Sequence, residues 1–477
     1  MMLLAGIALA SLGQVSPEHA WVRKLLAGHG RTALVVTATE AVKGGVEVIA
    51  RLHYPGMSGE TVTGQVKLYL PSLLATDPEA RLPLLHVAGY EADRNMGEAM
   101  VGLGMILSTP HGEEPNPIVR GENLDVAILH RMRALSCVDD ARVLIAGGSA
   151  GGYMTLMLAA ETFPLAGSQP DVPPVNLGYN CGYITRNKPL AEAQPEGQEH
   201  QNMPVLNAVA PIGEGATEVY GPDYSSEAWL NASPVTRIAE ITCPTLIAVS
   251  TADLLVPINQ YAADLAQDFD ETLFPRGFRI ALDDFITRPK AQLTFLGSVP
   301  AEDVHLVRLT VPTDTPKLGW TGEPEGPRPA TIKVPFSPTR RFTLAVLDEG
   351  PIEPQVGHLK YFVNPDKGDF LGWAAARNWG PEQLSAAKLE RLMHRYLGRE
   401  RHPQRVVRDG SQVTLNRLDF PEAEMADVRR GLRTFCARDD CARRFRELYA
   451  QLPAELQALG TGVTDMSLDE LRAALAD

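Results

Sequence analysis

The chain is 477 residues long, 44% hydrophobic and 21% charged, with 58 acidic side chains against 44 basic ones. That makeup belongs to a globular protein large enough for one big core or two smaller ones, and it excludes disorder as the main state. A net charge of −14 with no long Lys/Arg run argues against a nucleic-acid surface or an anionic membrane as partner.

The five cysteines, Cys137, Cys181, Cys243, Cys436 and Cys441, form no disulfide framework, although the pairing of Cys436 with Cys441 stays open. There is no C-x-x-C pair and no H-E-x-x-H helix, so the sequence calls for no metal and no cofactor. No apolar run approaches the roughly 18 residues that a membrane span needs. Met1 to Leu12 is apolar and of signal-core length, yet no basic residue precedes it. It fits an export signal or the first helix or strand of the fold, and the location is accordingly periplasmic or secreted in one case and cytoplasmic in the other.

In chain order, Thr32–Thr37, Val46–Tyr54 and Gln65–Leu70 alternate and are separated by turns, which predicts an antiparallel lead-in. Leu82–Ala88, Leu103–Ser108, Arg142–Ala146, Val205–Ala210, Pro244–Ser250 and Phe342–Leu347 are near-continuous apolar runs, as strands buried on both faces require. Helical spacing lies between them, at Leu124, Ile128, Met132 and Leu135 and again at Ile258, Tyr261, Ala262, Leu265 and Phe269. The alternation predicts an α/β architecture with a mostly parallel central sheet and helices on both faces.

Residues 164–204 and 271–340 are rich in proline and fit no minimal sheet, so both are expected as insertions with the character of lids. The expected organisation is therefore residues 1–20 as signal or N-terminal segment, 21–400 as the α/β domain with insertions at about 164–204 and 271–340, and 401–477 as a helical C-terminal extension. In that extension Ser467-Leu-Asp-Glu470 is a capping box opening a last helix.

The sharpest chemical signal is Arg142-Val-Leu-Ile-Ala-Gly-Gly-Ser-Ala-Gly-Gly-Tyr-Met154, which holds G-x-S-x-G between a buried strand and a helix-prone run. A nucleophile elbow has that context: the serine sits on a sharp turn, and strand and helix approach too closely for side chains at its neighbours. Glycines at 147, 148, 151 and 152 supply the room. The helix that follows points its first amides at the reacting carbonyl.

A serine hydroxyl needs a base oriented by a third group, and in elbow enzymes the order is Ser, acid, His. Beyond Ser149, the strand Pro244–Ser250 leads into Asp253, the expected acid. Of eleven histidines only His305, His358, His394 and His402 lie further on. His394 is inside a helical pattern, His402 follows it in a charged stretch, and His305 precedes an apolar run. His358 follows the strand Phe342–Leu347 and is the expected base, with His305 the fallback. The oxyanion hole requires two amides, expected from Ala150 and from Tyr90 in the loop after Leu82–Ala88.

These residues resemble the α/β-hydrolase superfamily. The elbow GGSAGGYM and the segment PTLIAVSTADLLVP are similar to the catalytic domain of the prolyl oligopeptidase (S9) group and its esterase relatives, over about residues 80–270 and 342–400. The resemblance implies a serine hydrolase with Ser149, Asp253 and His358 as nucleophile, acid and base. Two features depart from it. Residues 1–148 are too short to hold an oligopeptidase propeller as well as the first half of the sheet, and the usual His-Gly-Gly is replaced by His86-Val-Ala-Gly-Tyr90. The expected substrate is a small-molecule carboxylic ester. The alternatives are short peptides cleaved in S9 fashion and a non-catalytic binding protein on the same scaffold.

Overall fold

The computed structural model describes residues 19–27, 34–55, 61–112, 122–162, 165–192, 213–251, 253, 255–262, 293–312, 314–315, 331–349, 362–365, 370–377, 379–396, 403–408, 411–416, 421–458 and 462–476. Its frame is a ten-stranded sheet. Strands β1 (Val35–Val42), β2 (Gly45–Pro55) and β3 (Thr61–Pro71) form an antiparallel lead-in, as their alternation predicts. Strands β4 (Leu82–Val87), β5 (Ile106–Pro110), β6 (Val138–Gly148), β7 (Gly167–Asp171), β8 (Thr245–Ser250), β9 (Val304–Val311) and β11 (Phe342–Glu349) complete it. The spatial order is β1-β2-β3-β5-β4-β6-β7-β8-β11-β9, parallel from β5 onward.

The apolar runs are continuous because each strand feeds two cores. Val143, Ile145, Ile247, Val249, Leu344 and Val346 face the helices Glu122–Arg133 and Ala150–Glu161. Leu144, Ala146, Leu246, Ala248, Ala345 and Leu347 face the other side, with the helices Arg94–Gly102 and Phe370–Ala375. From β4 the chain steps outward to β5, then returns to β6 and proceeds the opposite way. That reversal leaves a crevice between the carboxyl ends of β4 and β6, where open α/β sheets take their ligands. Strand order, two helical layers and a sharp turn after β6 constitute the α/β-hydrolase fold.

Four expectations change. The stretch 164–204 opens with β7, a central strand, and continues into the helix Leu177–Glu192, so it is not simply an insertion. β7 reads GSQPD and has no β-branched residue; a Cβ on Gly167 would stand 2.7 Å from the Ala374 Cβ, so close helix packing takes the place of side-chain bulk. Within 271–340, β9 joins the sheet edge, while β10 (Thr331–Val334) pairs in parallel with β12 (Phe362–Pro365). After residue 400, an antiparallel hairpin of β13 (Pro403–Arg408) and β14 (Ser411–Asn416) precedes the helices. Residues 258–260 form one 3₁₀ turn, Tyr261 and Ala262 follow it outside any helix, and Leu265 and Phe269 lie outside the described residues, as do Val205–Ala210 and Met1–Leu12.

The tail helices Pro421–Cys436, Asp439–Tyr449 and Leu468–Ala476 share a third core. Phe435, Phe445 and Leu448 pack there with Trp379, Leu389 and Leu392. Arg133 donates from Nε to Asp140 at 2.8 Å, and the tail's Arg430 reaches the other Asp140 oxygen at 3.5 Å. The capping box forms: Ser467 N–H donates to Glu470 at 2.7 Å and Glu470 N–H to Ser467 Oγ at 3.2 Å. All five cysteines are buried free thiols, Cys436 and Cys441 included. Among the described residues no helix is long and apolar enough to cross a membrane.

Candidate functional site

Ser149 stands at φ 55°, ψ −122°, between the end of β6 and the helix Ala150–Glu161. Few non-glycine residues adopt such a conformation, and it persists only where the surroundings enforce it. A Cβ on Gly151 would lie 2.3 Å from the Ala88 carbonyl oxygen, and one on Gly147 would lie 2.6 Å from the Gly151 oxygen. Gly148 differs from the expectation, since a Cβ there meets nothing nearer than the Asp171 oxygen at 3.9 Å. The turn hangs from the next strand through Ser149 N–H, which donates to the Asp171 carbonyl at 2.8 Å.

The helix that begins at Ala150 is buried along its whole length. Its first amides have no partner within the helix, so the N–H of Ala150 can serve an anion above the turn. Its far end is capped by the buried Lys388, whose Nζ donates to the Ala159 and Ala160 carbonyls at 2.7 and 2.8 Å. A cation at a helix C-terminus opposes the partial negative charge that collects there.

Across the crevice, Gly89 turns the chain after β4 at φ 80°, and a Cβ on it would lie 2.6 Å from Gly151 Cα. Tyr90 follows, 41% exposed, with its ring beside Gly151 and its carbonyl accepting the Thr109 hydroxyl at 2.7 Å. Ala150 and Tyr90 thus come together at the switch point.

Asp253 lies beyond the carboxyl end of β8, two strands from β6, which is about 10 Å at ordinary strand spacing. The residue is 1% exposed. Its Oδ1 accepts the amides of Leu255 and Val256, both at 2.9 Å, and neither bond uses Oδ2. Its charge adds to burial in holding the Tyr183 and Tyr261 hydroxyls above their usual range. Tyr261 donates to the Pro173 carbonyl. Gln260 Oε1 accepts Val175 and Asn176 N–H at 2.8 and 3.0 Å, so the loops after β7 and β8 are bound together.

His358 lies outside the described residues. The strand before it, β11, ends beside β8, on the same edge as Asp253. The fallback His305 is the second residue of β9, level with Thr343 and therefore with Leu246, at the amino end of the parallel block. It is four strands from β6, about 19 Å across the sheet alone, so the fold separates it from Ser149.

Sequence reasoning passed over Asp171. It ends β7, as Asp253 follows β8, and its Oδ1 is buried with no hydrogen-bond partner. Burial pushes its carboxyl up to about 7. The next residue, Val172, sits at φ 43°, rare for a β-branched side chain. Only recognition of GSQPD as a strand would have pointed to this carboxyl. Among the described residues no group of His, Cys, Asp and Glu could hold a metal ion.

No protein-family model and no curated protein matches the chain. Similar solved structures include an acylaminoacyl peptidase from Pyrococcus horikoshii, 11% identical over 49% of this chain and 42% of that one, at a TM-score of 0.31. A puromycin hydrolase is 14% identical over 50% of this chain and 41% of that one, at 0.31. Acetyl xylan esterase 1 from Thermoanaerobacterium sp. is 15% identical over 52% and 82%, also at 0.31. The chain thus spans less than half the length of the first two. At these scores the likeness adds nothing to the strand order, which establishes the fold by itself.

Proposed function

We propose that the protein is a serine hydrolase that cleaves carboxylic esters through an acyl-enzyme. The observation that carries this is the strained Ser149 at the switch point, held by glycines that leave no room for a side chain and followed at once by a buried helix. A fold gains no stability from such a turn, whereas a nucleophile gains exposure and an adjacent anion site.

In this mechanism His358 takes the proton from Ser149 Oγ as the oxygen attacks the acyl carbonyl. Asp253 fixes the imidazole tautomer and stabilises its charge. The amides of Ala150 and Tyr90 bind the oxyanion. Collapse of the tetrahedral adduct passes the proton to the departing alcohol, and a water activated by the same imidazole releases the acid. Esters are favoured over amides because an alkoxide leaves with less help from a proton donor than an amide nitrogen, which must be protonated before it departs as the amine.

The test treats the protein and its Ser149→Ala variant with a fluorophosphonate probe, then compares p-nitrophenyl esters with peptide anilides. Labelling of the unaltered chain alone, with ester turnover dominant, is the expected result. An unlabelled chain overturns the hydrolase assignment. Strong anilide turnover with weak ester turnover makes it a peptidase.

A further inference from the structure

Beneath the oxyanion loop lies a polar network that the mechanism above does not use. His86, wholly buried on β4, has Nε2 3.0 Å from Asp125 Oδ1 and Nδ1 3.0 Å from Ser108 Oγ. Asp125, 1% exposed on the helix Glu122–Arg133, accepts the backbone N–H of Gly89 on Oδ2 at 3.2 Å. One carboxylate therefore grips the strand-side end of the loop while the Thr109 hydroxyl, donating to the Tyr90 carbonyl and accepting the Ala92 amide at 3.1 Å, grips the side toward the next helix.

We infer that Asp125, oriented by His86 and Ser108, is a positioning residue that fixes the Ala88–Gly89 peptide and so holds the start of the loop that presents the Tyr90 amide to the oxyanion. The inference rests on the serine hydrolase assignment. The geometry leaves the loop few alternatives. Gly89 occupies a left-handed conformation against Gly151, where an added Cβ would lie 2.6 Å from Gly151 Cα, so the chain here has little room to shift. A carboxylate is costly to bury, so a merely structural contact gains little from one. Burial raises the Asp125 carboxyl, opposed by its bonds to His86 and Gly89. A preorganised donor must not reorient while charge develops, and a buried anion with both oxygens engaged supplies that stiffness.

The experiment uses the full chain with Asp125→Asn and, as a milder change, Ser108→Ala. With p-nitrophenyl acetate, Asp125→Asn is expected to lose about 10- to 100-fold in kcat while KM stays within about twofold, below the loss typical of deleting an oxyanion donor outright. Affinity for phenylboronic acid, which forms a tetrahedral serine adduct, is expected to weaken by the same factor. Ser108→Ala is expected to shift both quantities in parallel by about threefold, a result that stands even where Asp125→Asn does not fold. Deuterium exchange at the Gly89 amide, slow in the unaltered chain and fast in Asp125→Asn, reads the bond without turnover. A kcat loss with unchanged boronate affinity, or Gly89 exchange that does not quicken, overturns the inference. Failure of the fluorophosphonate to label the unaltered chain overturns the hydrolase assignment instead, and the exchange measurement still decides whether Asp125 holds the loop.

Discussion

The amide of Ser149 donates to the carbonyl of Asp171 at 2.8 Å, and two residues of positive φ, Ser149 itself and Val172 just after Asp171, stand at the ends of β6 and β7. Ser149 is therefore suspended from a neighbouring strand whose own end is under backbone strain at Val172.

Strain at Ser149 has a direct signature. Ser149→Ala keeps a Cβ at φ 55°, whereas Ser149→Gly removes it. Both variants are expected to lose labelling and at least about 10³-fold in kcat. Ser149→Gly is expected to be the more stable by about 1 kcal/mol despite the entropy of glycine. Thermal unfolding of the two variants checks the order, and a more stable Ser149→Ala would show the turn to be unstrained.

The two inner glycines separate packing from sequence pattern. Gly151→Ala drives a methyl into the Ala88 carbonyl and is expected to cost about 2 kcal/mol or more and to abolish turnover, because β4 and the elbow must part. Gly148→Ala has 3.9 Å of clearance and is expected to keep its melting temperature within a few degrees and its activity within about threefold. Denaturant midpoints and p-nitrophenyl acetate rates decide it.

Asp171 makes stability depend on pH. With its carboxyl at about 7 against an ordinary 3.8, the folded chain holds this proton more tightly than the unfolded chain does. The stability it contributes is present below about pH 4 and is lost progressively as pH rises toward 7, levelling off above. Asp171→Asn keeps the backbone carbonyl that Ser149 uses and carries no charge. Its melting temperature is expected to match the unaltered chain at pH 4 and to exceed it by several degrees at pH 8. A difference independent of pH would mean that Asp171 ionises freely.

Assignment of acid and base rests on three further variants. Asp253→Asn is expected to lower kcat by about 10⁴-fold through the wrong imidazole tautomer. His358→Ala is expected to be inactive and His305→Ala fully active, as its position at the amino end of β9 requires. An inactive, folded His305→Ala would reverse the assignment of the base.

The elbow was legible because its geometry demands small residues, and small residues in a row are visible: Gly147 and Gly151 mark contacts with backbone oxygens. The strand that leads to Asp253 was legible for a related reason, since Leu246–Val249 is an apolar run that ends abruptly. The strand β7 was not. Gly167 is small because Ala374 presses on it, and Pro170 gives no strand signal, so tertiary packing rather than local preference makes the strand. Asp171 went unseen with it. The Asp125–His86 pair was hidden because its partners are distant in sequence and each residue alone resembles an ordinary polar position in a helix or strand.

The shared use of Asp140 by Arg133 and Arg430, together with the core that joins Leu389 and Leu392 to Phe435 and Phe445, bears on how this protein can be cut. A boundary near residue 400 passes through the middle of a hydrophobic cluster and would leave Arg133 and Asp140 without Arg430, the third member of their ion-pair group. The C-terminal extension is thus no detachable module. Trimming has to begin elsewhere, because body and tail share one hydrophobic core.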